Sequence, residues 1–254
     1  MSKREMLEGG RESFEAGVKE AEDFVREHME EGTWAHTQSV RSVGKEIAKE
    51  EGADQLQVDL GALFHDIEKD HVPALDHAEK GASTAGEYLS KHGFDDATVK
   101  SVVACVAEHA TPWAGQGPDP ETVEAKVLFD ADMVGQFSEN GIIKHILKHK
   151  SRSYTELVDG IEQDLEAAQK LLLTETGKRI GAEKIRLVRE FVSGARQGSS
   201  SDERALIELV LENRHKTYGD MLREVEAEVA KGKEEGTMNS QRIKYLKKFV
   251  QEAK

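Results

Sequence analysis

Apolar residues recur every three or four positions along most of the chain, the spacing that predicts amphipathic α-helices. In the N-terminal segment, Val18, Ala21 and Val25 fall on one face of a helix predicted over residues 11–30. Further helices are predicted over residues 33–50, 54–66, 77–91, 95–109, 121–134, 155–174 and 180–195. No stretch alternates apolar and polar residues for long enough to predict a strand. The pattern therefore indicates an all-α fold.

Two segments lack this periodicity and predict breaks between helical regions. Residues 111–121 hold three of the four prolines, which predicts a loop. Residues 194–203 are mostly small and polar, which predicts a linker. Beyond the linker, charged segments predict two or three more helices, broken at residues 231–237. We therefore predict an N-terminal helix over 1–30, a helical domain over 31–197 and a charged helical tail over 198–254.

The apolar stripes of the tail must be buried somewhere. The default expectation is that they pack on the rest of the chain, and a homodimer formed through the tail is the alternative. The third of these stripes would comprise Ile243, Leu246, Phe249 and Val250.

Charge and composition narrow the choice of partners. The net charge is −14, so a nucleic-acid polymer would be repelled over most of the surface. No apolar stretch is long enough for a membrane span, and the first residues have no apolar core typical of a signal peptide. The single cysteine, Cys105, excludes an intramolecular disulfide and a cysteine-based zinc site. We expect a soluble cytoplasmic protein without a membrane partner.

Several predicted helices carry a histidine or an aspartate on the face that should be buried. The positions that continue an apolar stripe, or open a helix on its inner face, are His36, His65, Asp66, His77, His109 and Asp132. The remaining histidines lie among polar residues, which predicts surface positions for His28, His92, His145, His149 and His215.

Burying several imidazoles together with two carboxylates is costly unless these groups are paired or bind a metal ion. A divalent cation would satisfy all of them, and mixed His/Asp ligands suit Mn, Fe, Co, Ni or Zn better than Ca. Asp132 continues the apolar stripe of its helix, whereas Asp130 lies two residues, about 200°, round the helix. We therefore predict that Asp132 is the ligand and that Asp130 has a supporting role.

The order of these residues resembles the H…HD…D signature of the HD-domain metal-dependent phosphohydrolase superfamily. The resemblance begins with AHTQSVRSVGKEIA (35–48), LFHDIEKD (63–70) and HAEKGA (77–82). It continues through EAKVLFDADMVGQFSENGII (124–143), which looks like the branch with a final Asp-Ala-Asp motif, and TETGKRIGAEKIRLVREF (174–191). The resemblance covers residues 20–196 and implies an HD-domain helical bundle, to which the charged tail is added.

This resemblance implies that His36, His65, Asp66 and Asp132 bind a divalent metal ion. His77 and His109 stand where two-metal relatives carry additional ligands, so the chain could hold one or two ions of Mn, Mg, Co, Ni, Fe or Zn. The reaction implied is hydrolysis of a small phosphorylated substrate, most plausibly a nucleotide, by a metal-activated water.

Lys69, three residues after Asp66, is placed to hold a phosphate group, although a solvated loop lysine is an equally good interpretation. We expect Asp66 and Lys69 to be the catalytic residues.

Two other functions remain open at this point. Some HD-fold proteins hold two irons and perform oxygenase chemistry, and His77 and His109 are compatible with that activity. A sensor or binding module that retains the fold is the third alternative, and one scaffold can host all three. The intact ligand set favours an enzyme over this third alternative.

Overall fold

The computed structural model describes residues 3–110, 119–137, 139–149, 151–197, 202–213, 215–236 and 247. In these ranges the chain forms α-helices and no strand, which confirms the predicted all-α fold. The helices are α1 (Lys3–His28), α2 (Glu31–Glu51), α3 (Gln55–Phe64), α4 (His77–Lys91), α5 (Asp96–Glu108), α6 (Val123–Gly135), α7 (Glu139–Lys148), α8 (Tyr154–Leu171), α9 (Glu175–Arg196), α10 (Asp202–Glu212) and α11 (Tyr218–Glu234). None of these helices is long and apolar enough to cross a membrane.

The chain divides into two compact units, Met1–Asp132 and Met133–Lys254. The division falls inside α6 and not at the predicted linker, of which residues 198–201 lie outside the described residues. The domain boundaries expected from the sequence therefore stay a prediction. The third apolar stripe of the tail also lies outside the described residues.

Helix α3 is the centre of the first unit. Its residues from Val58 to Phe64 are all buried, and it packs against α1, α2, α4 and α5. From Val58 onward no face of the helix meets water, so this part is apolar on every side except at Asp59. The side chain of Asp54 begins the helix by accepting hydrogen bonds from the backbone N–H groups of Leu56 and Gln57.

In the second unit, α9 packs against α8 and α10, while α7 contacts α8, α10 and α11. Helix α8 begins with a capping box, in which Ser153 and Glu156 bond to each other's backbone. This N-terminal signal fixes the end of the short connection between α7 and α8, residues 149–153.

Helix α7 is absent from the sequence prediction, which places no helix between residues 134 and 155. Only ten residues long, it contains a glycine and has Ile142 and Ile146 as buried apolar positions. These two residues are four apart, so they share one helix face, but a stripe of two is too short to stand out from a loop. The other predicted helices are present, with ends shifted by a few residues except at the N-terminus, where α1 begins at Lys3.

Candidate metal centre

The end of α3 places His65 and Asp66 in the interior of the first unit. The helix ends at Phe64, and the chain continues through a turn in which both side chains are fully buried. They therefore leave an apolar helix at the point where α2, α4 and α5 surround it. Because α3 has no polar face, its C-terminal end projects these two groups into the protein and not into solvent.

His65 belongs to a first triad, which also contains His36 of α2 and Asp132 of α6. One ligand atom from each residue lies within 4.8 Å of the others. The Nε2 atom of His36 is 2.8 Å from Asp132 Oδ1, and that of His65 is 3.9 Å from the same oxygen. Three elements distant in the sequence thus bring two imidazoles and one carboxylate together.

Asp66 belongs to a second triad, with His77 of α4 and His109 at the end of α5. The Nε2 atoms of the two histidines are 3.2 Å apart. Asp66 Oδ1 lies 3.5 Å from His77 Nε2 and 3.8 Å from His109 Nε2. His77 and His109, which the sequence indicated only as additional ligands, are therefore about as close to the His65-Asp66 pair as His36 and Asp132 are.

The carboxylate of Asp66 lies between the two triads. Its Oδ1 atom faces the second triad, as described above. Its Oδ2 atom is 3.3 Å from His65 Nε2 and 3.7 Å from His36 Nε2, in the first triad. A carboxylate that directs one oxygen to each of two ligand groups has the arrangement of a bridging ligand.

Three of the histidines are oriented by their own backbone. The Nδ1 atoms of His65, His77 and His109 donate to the carbonyl oxygens three residues earlier, at 2.7, 2.5 and 2.6 Å. In the neutral form of each ring, which carries a single N–H, this bond leaves the Nε2 lone pair directed at the triads. For His65, burial opposes the charged form, but Asp66 and Asp132 outweigh it and raise the pKa of the ring. Hydrogen bonding at the other ring nitrogen is typical of histidines that bind metal.

Several polar atoms of the two triads have no partner of their own. His65 Nε2 and Asp66 Oδ1 are buried and make no hydrogen bond among the described residues. Between His77 and His109, two lone pairs face each other at 3.2 Å, which requires a proton or a cation between them. Burial lowers the pKa of His77, and the neighbouring His109 and Lys69 lower it further, although Asp66 has the opposite effect. A proton between the two rings is therefore disfavoured.

Ligand-atom distances at the two triads suit a metal ion. Two ligands at about 2.1 Å from one ion, at right angles or at the tetrahedral angle, are about 3.0–3.4 Å apart. The shorter separations lie close to this range, and the longer ones would need small side-chain shifts. The set of imidazoles and carboxylates is the one that Zn, Mn, Fe, Co and Ni accept. The residues present therefore fit the divalent metal ions expected from the sequence.

The charges at the triads support one another. Burial by itself would raise the pKa of Asp66, but His65 and Lys69 outweigh it and hold the pKa well below its usual value. For Asp132, burial is likewise outweighed, by His36, His65 and Lys69, and the pKa is again lowered. Both carboxylates are therefore ionised at neutral pH and carry the negative charge that a cation needs.

Lys69 contacts Asp66 directly. Its Nζ atom is 2.5 Å from Asp66 Oδ2, while the side chain remains 42% exposed. Burial opposes its charge, but Asp66 and Asp132 outweigh this effect and raise the pKa of Lys69. A positive charge thus stands between the buried Asp66 carboxylate and solvent.

The loop that carries Lys69 is tied to three helices. Asp70 accepts hydrogen bonds from the backbone N–H of Glu30, at 2.9 Å, and from the hydroxyl of Thr33, at 2.8 Å. His71 Nε2 donates to the carbonyl of His28, and Glu68 accepts from the hydroxyl of Thr84. Asp70 thereby binds the N-cap residue of α2, Glu30, whose own side chain does not cap the helix. These loop residues therefore hold Lys69 in place.

Arg41 of α2 forms an ion pair inside the first unit. The side chain is buried and donates two hydrogen bonds to Asp59, at 2.8 and 3.1 Å. Sequence reasoning gave Asp59 no role, although an aspartate inside an otherwise apolar helix was a signal for a buried partner. Asp130 is fully buried and lies outside both triads.

Residues 33–134 match the family model described as HD domain. This segment is similar to the HD domain family. The six triad residues and Lys69 all lie inside it. The metal-binding signature that the sequence resembles and the clusters that the structure brings together are therefore on the same part of the chain.

Several solved structures have the same fold, and their similarity to this chain covers more residues than the segment 33–134. A predicted HD superfamily hydrolase from an uncultured Thermotogales bacterium is 26% identical, with a TM-score of 0.52, over 69% of this chain and 89% of that one. Lin1889 of Listeria innocua is 20% identical, with a TM-score of 0.56, over 72% and 95%. YpgQ of Bacillus subtilis, solved in complex with ADP, is 18% identical, with a TM-score of 0.54, over 69% and 93%. The chain has the HD-superfamily hydrolase fold.

A curated relative carries a different activity. The tRNA (cytidine(56)-2'-O)-methyltransferase of Thermoplasma volcanium is 35% identical over an alignment of 104 positions that covers 38% of this chain. The match spans only 30% of that protein's length. Its methyl transfer therefore says nothing direct about the HD domain.

Proposed function

We propose that the protein is a metal-dependent phosphohydrolase that cleaves a phosphoester or phosphoanhydride bond of a small substrate, with a nucleotide as the substrate class. The observation that carries this proposal is the buried Asp66 carboxylate, which directs one oxygen to each of two histidine-containing triads. The HD-superfamily hydrolase fold supports a hydrolytic reaction. The ADP bound to YpgQ, a protein of the same fold, supports the nucleotide class.

In this proposal two divalent ions would be held by the two triads, with Asp66 shared between them. Bound metal lowers the pKa of a water molecule to about 7 and withdraws charge from a phosphoryl oxygen. His36, His65 and Asp132 would bind one ion, and His77 and His109 would bind the other. Lys69 neutralises the phosphate of the incoming substrate, and the acidic surface disfavours polyanions.

The proposal is tested by offering the purified protein a panel of nucleoside mono-, di- and triphosphates with Mn²⁺, Mg²⁺, Co²⁺, Ni²⁺, Fe²⁺ or Zn²⁺. We expect release of phosphate or pyrophosphate with at least one metal and none after chelation. Because one relative is a methyltransferase, consumption of each nucleotide is measured together with release of phosphate or pyrophosphate. We expect no nucleotide to be consumed without such a product. Absence of metal-dependent turnover on every substrate, with metal bound, would instead favour a binding module.

The second triad also favours an alternative activity. Because it supplies two further histidines, the centre could hold two irons and perform oxygenase chemistry. Iron analysis and oxygen consumption distinguish this activity from hydrolysis. Two irons per chain with oxygen uptake would replace the phosphohydrolase proposal, whereas oxygen-independent phosphate release would exclude the alternative.

Replacing Lys69 by alanine should separate substrate binding from metal binding. A hydrogen bond to a charged group contributes about 1.5–3 kcal/mol, so we expect kcat/KM to fall about 10–150-fold while the metal content is kept. The loss should appear mainly in KM if Lys69 holds the phosphate before reaction. Lys80→Ala, a change at an exposed position of α4, is the matched control and should leave both kinetic constants unchanged.

If the Lys69→Ala protein has the same kcat/KM as the parent protein, Lys69 does not hold the substrate phosphate and is only a loop lysine paired with Asp66. Metal content measured on the same samples shows whether a loss of activity reflects a damaged centre.

The broader expectations remain part of the proposal. The substrate is a small molecule in the cytoplasm, without a membrane or nucleic-acid polymer as partner. Residues 31–197 would then be the catalytic domain between an N-terminal helix and the tail. A homodimer through residues 198–254 stays the alternative to packing of the tail within one chain.

A further inference from the structure

Helices α1 and α4 of the first unit line a groove that the proposed reaction does not use. The lining from α1 is Asp23, Phe24 and Glu27. The lining from α4 includes Glu87 and Tyr88. Residues three or four apart share one side of a helix, so each helix turns one side toward the groove. Its volume is about 540 Å³, within the range of about 300–1,000 Å³ that is typical of small-molecule sites.

Aromatic rings form the floor of the groove. The ring of Phe24 stacks on that of Tyr88, with centroids 4.4 Å apart, and the imidazole of His92 stacks on Tyr88 at 3.9 Å. Tyr88 belongs to the buried core of the unit, and Phe24 packs against that core. Because stacked rings cover one another's faces, the surface left open suits methylene groups better than a cation–π contact.

The hydroxyl of Tyr88 is a polar group without a partner at this floor. The residue is only 9% exposed, and its hydroxyl makes no hydrogen bond within the part of the chain that the structure describes. Burial raises the pKa of Tyr88, and the carboxylates of Glu20 and Asp23 raise it further, so the hydroxyl is protonated and lies near the α1 side of the groove. Its oxygen is not enclosed by protein atoms, so it is open to the groove. Because tyrosine hydroxyls in buried positions normally have a hydrogen-bond partner, this oxygen indicates a ligand independently of the charges at the rim.

Carboxylates outnumber cations at the rim of the groove. Asp23 and Glu27 stand about one turn apart on α1, and Glu87 lies on α4. Glu27 and Glu87 make no ion pair among the described residues. Asp23 pairs there only with Lys19, in an exposed contact. Lys91 is the one lysine in the described lining, which contains no arginine, so both walls of the groove attract cations.

The combination of charged walls and an aromatic floor favours an extended organic cation over a metal ion. A hard cation such as Mg²⁺ takes oxygen ligands alone and would leave the aromatic floor uncovered. A polyamine carries ammonium groups separated by methylene groups. Its charges can therefore reach carboxylates on both walls while its apolar stem covers the ring edges between them.

We propose that the groove between α1 and α4 binds a linear aliphatic polyamine of the spermidine class. Its ammonium groups donate hydrogen bonds to the carboxylates of Glu27 and Glu87 and to the hydroxyl oxygen of Tyr88. Its methylene groups cover the aromatic floor. The proposal does not depend on the phosphohydrolase activity, because neither the triad residues nor Lys69 belong to the described lining of the groove.

The test measures binding of spermidine to the full-length protein by isothermal titration calorimetry, after metal ions have been removed by chelation and dialysis. At physiological salt, which screens attraction between distant charges, we expect one saturable site per chain. One hydrogen bond is worth about fivefold in Kd, so Tyr88→Phe should bind spermidine about fivefold more weakly than the parent protein. This change keeps the ring and the net charge, so it would not alter a general attraction of spermidine to the acidic surface.

Charge variants test the two walls. Glu27→Gln combined with Glu87→Gln should raise the Kd for spermidine about 20-fold, since each exposed ion pair is worth up to about fivefold. Glu46→Gln combined with Glu183→Gln is the matched control, because it removes two exposed carboxylates outside the groove, and it should bind spermidine like the parent. n-Butylamine, with one ammonium group, should bind more weakly than 1,4-diaminobutane.

Equal affinity of the parent and Tyr88→Phe would overturn the proposal, and so would equal losses in the two double variants. Either result would leave an acidic surface that attracts cations without a defined site. If a lysine-rich peptide binds one-to-one and is weakened by these changes while spermidine does not saturate, the groove is a protein-docking site and the polyamine assignment is wrong.

Discussion

The Asp66→Asn protein is expected to lose both its bound metal and its hydrolytic activity. The amide has the size of the carboxylate but no negative charge, so it cannot serve the two triads together. Changes to residues that only orient metal ligands already cost about 10–100-fold in affinity or activity, so removal of the shared ligand should cost more than about 100-fold. Metal analysis after dialysis and the rate of phosphate release measure the two effects on the same sample.

Asp76→Ala provides the comparison for this change. Asp76 lies in the same loop, is exposed and makes no side-chain cap hydrogen bond to α4. It should retain the metal content and rate of the parent protein. If Asp66→Asn kept its full metal content, the bridging role of Asp66 would be wrong. If the metal is lost and the parent never hydrolyses a substrate, the centre is correct and the proposed reaction is not.

Phe64→Ala is expected to reduce the free energy of unfolding by about 3–5 kcal/mol. Phe64 is fully buried at the end of α3, with ring centroids 5.6 Å from Tyr88 and 6.4 Å from Phe24. Truncation leaves a cavity directly before His65. Because small domains are stable by about 5–15 kcal/mol, the loss is a large part of the total. Urea unfolding followed by circular dichroism measures it.

Leu75→Ala is the control for the loss of a large apolar side chain. Leu75 is 68% exposed, so its removal should change stability by less than about 0.5 kcal/mol. Similar stabilities of the two variants would mean that the end of α3 is not part of a tightly packed core. The metal content of Phe64→Ala, measured below its unfolding midpoint, shows whether the orientation of His65 depends on this packing.

Helix positions and their buried faces could be read from the sequence. Helix α4 has its predicted bounds, and His36 is buried as predicted, on the face of α2 that also carries Val40, Val43 and Ile47. These features depend on local periodicity, which one chain segment contains by itself. The HD resemblance then supplied the order in which the segments meet.

Other parts of the site could not be predicted, because they depend on contacts between distant segments. The division of the Asp66 oxygens between two triads requires the positions of α2, α4 and α5 in three dimensions. Likewise, Asp70 and Glu30 are forty residues apart, and nothing in the local pattern of either indicates their hydrogen bond. His145, predicted as a surface residue, has polar sequence neighbours, so only the packing of α7 on α8 reveals that its side chain is just 9% exposed.

The backbone hydrogen bonds of His65, His77 and His109 have a consequence for how the protein tolerates mutation. The residues that accept these bonds, Ala62, Ala74 and Val106, contribute only a carbonyl oxygen to ring orientation. Every amino acid carries that oxygen, so exchanges at these three positions alter packing volume without removing the acceptor. The orientation of the imidazoles therefore does not depend on the side chains at these positions. A related protein could replace all three residues and still direct its histidines at the same point.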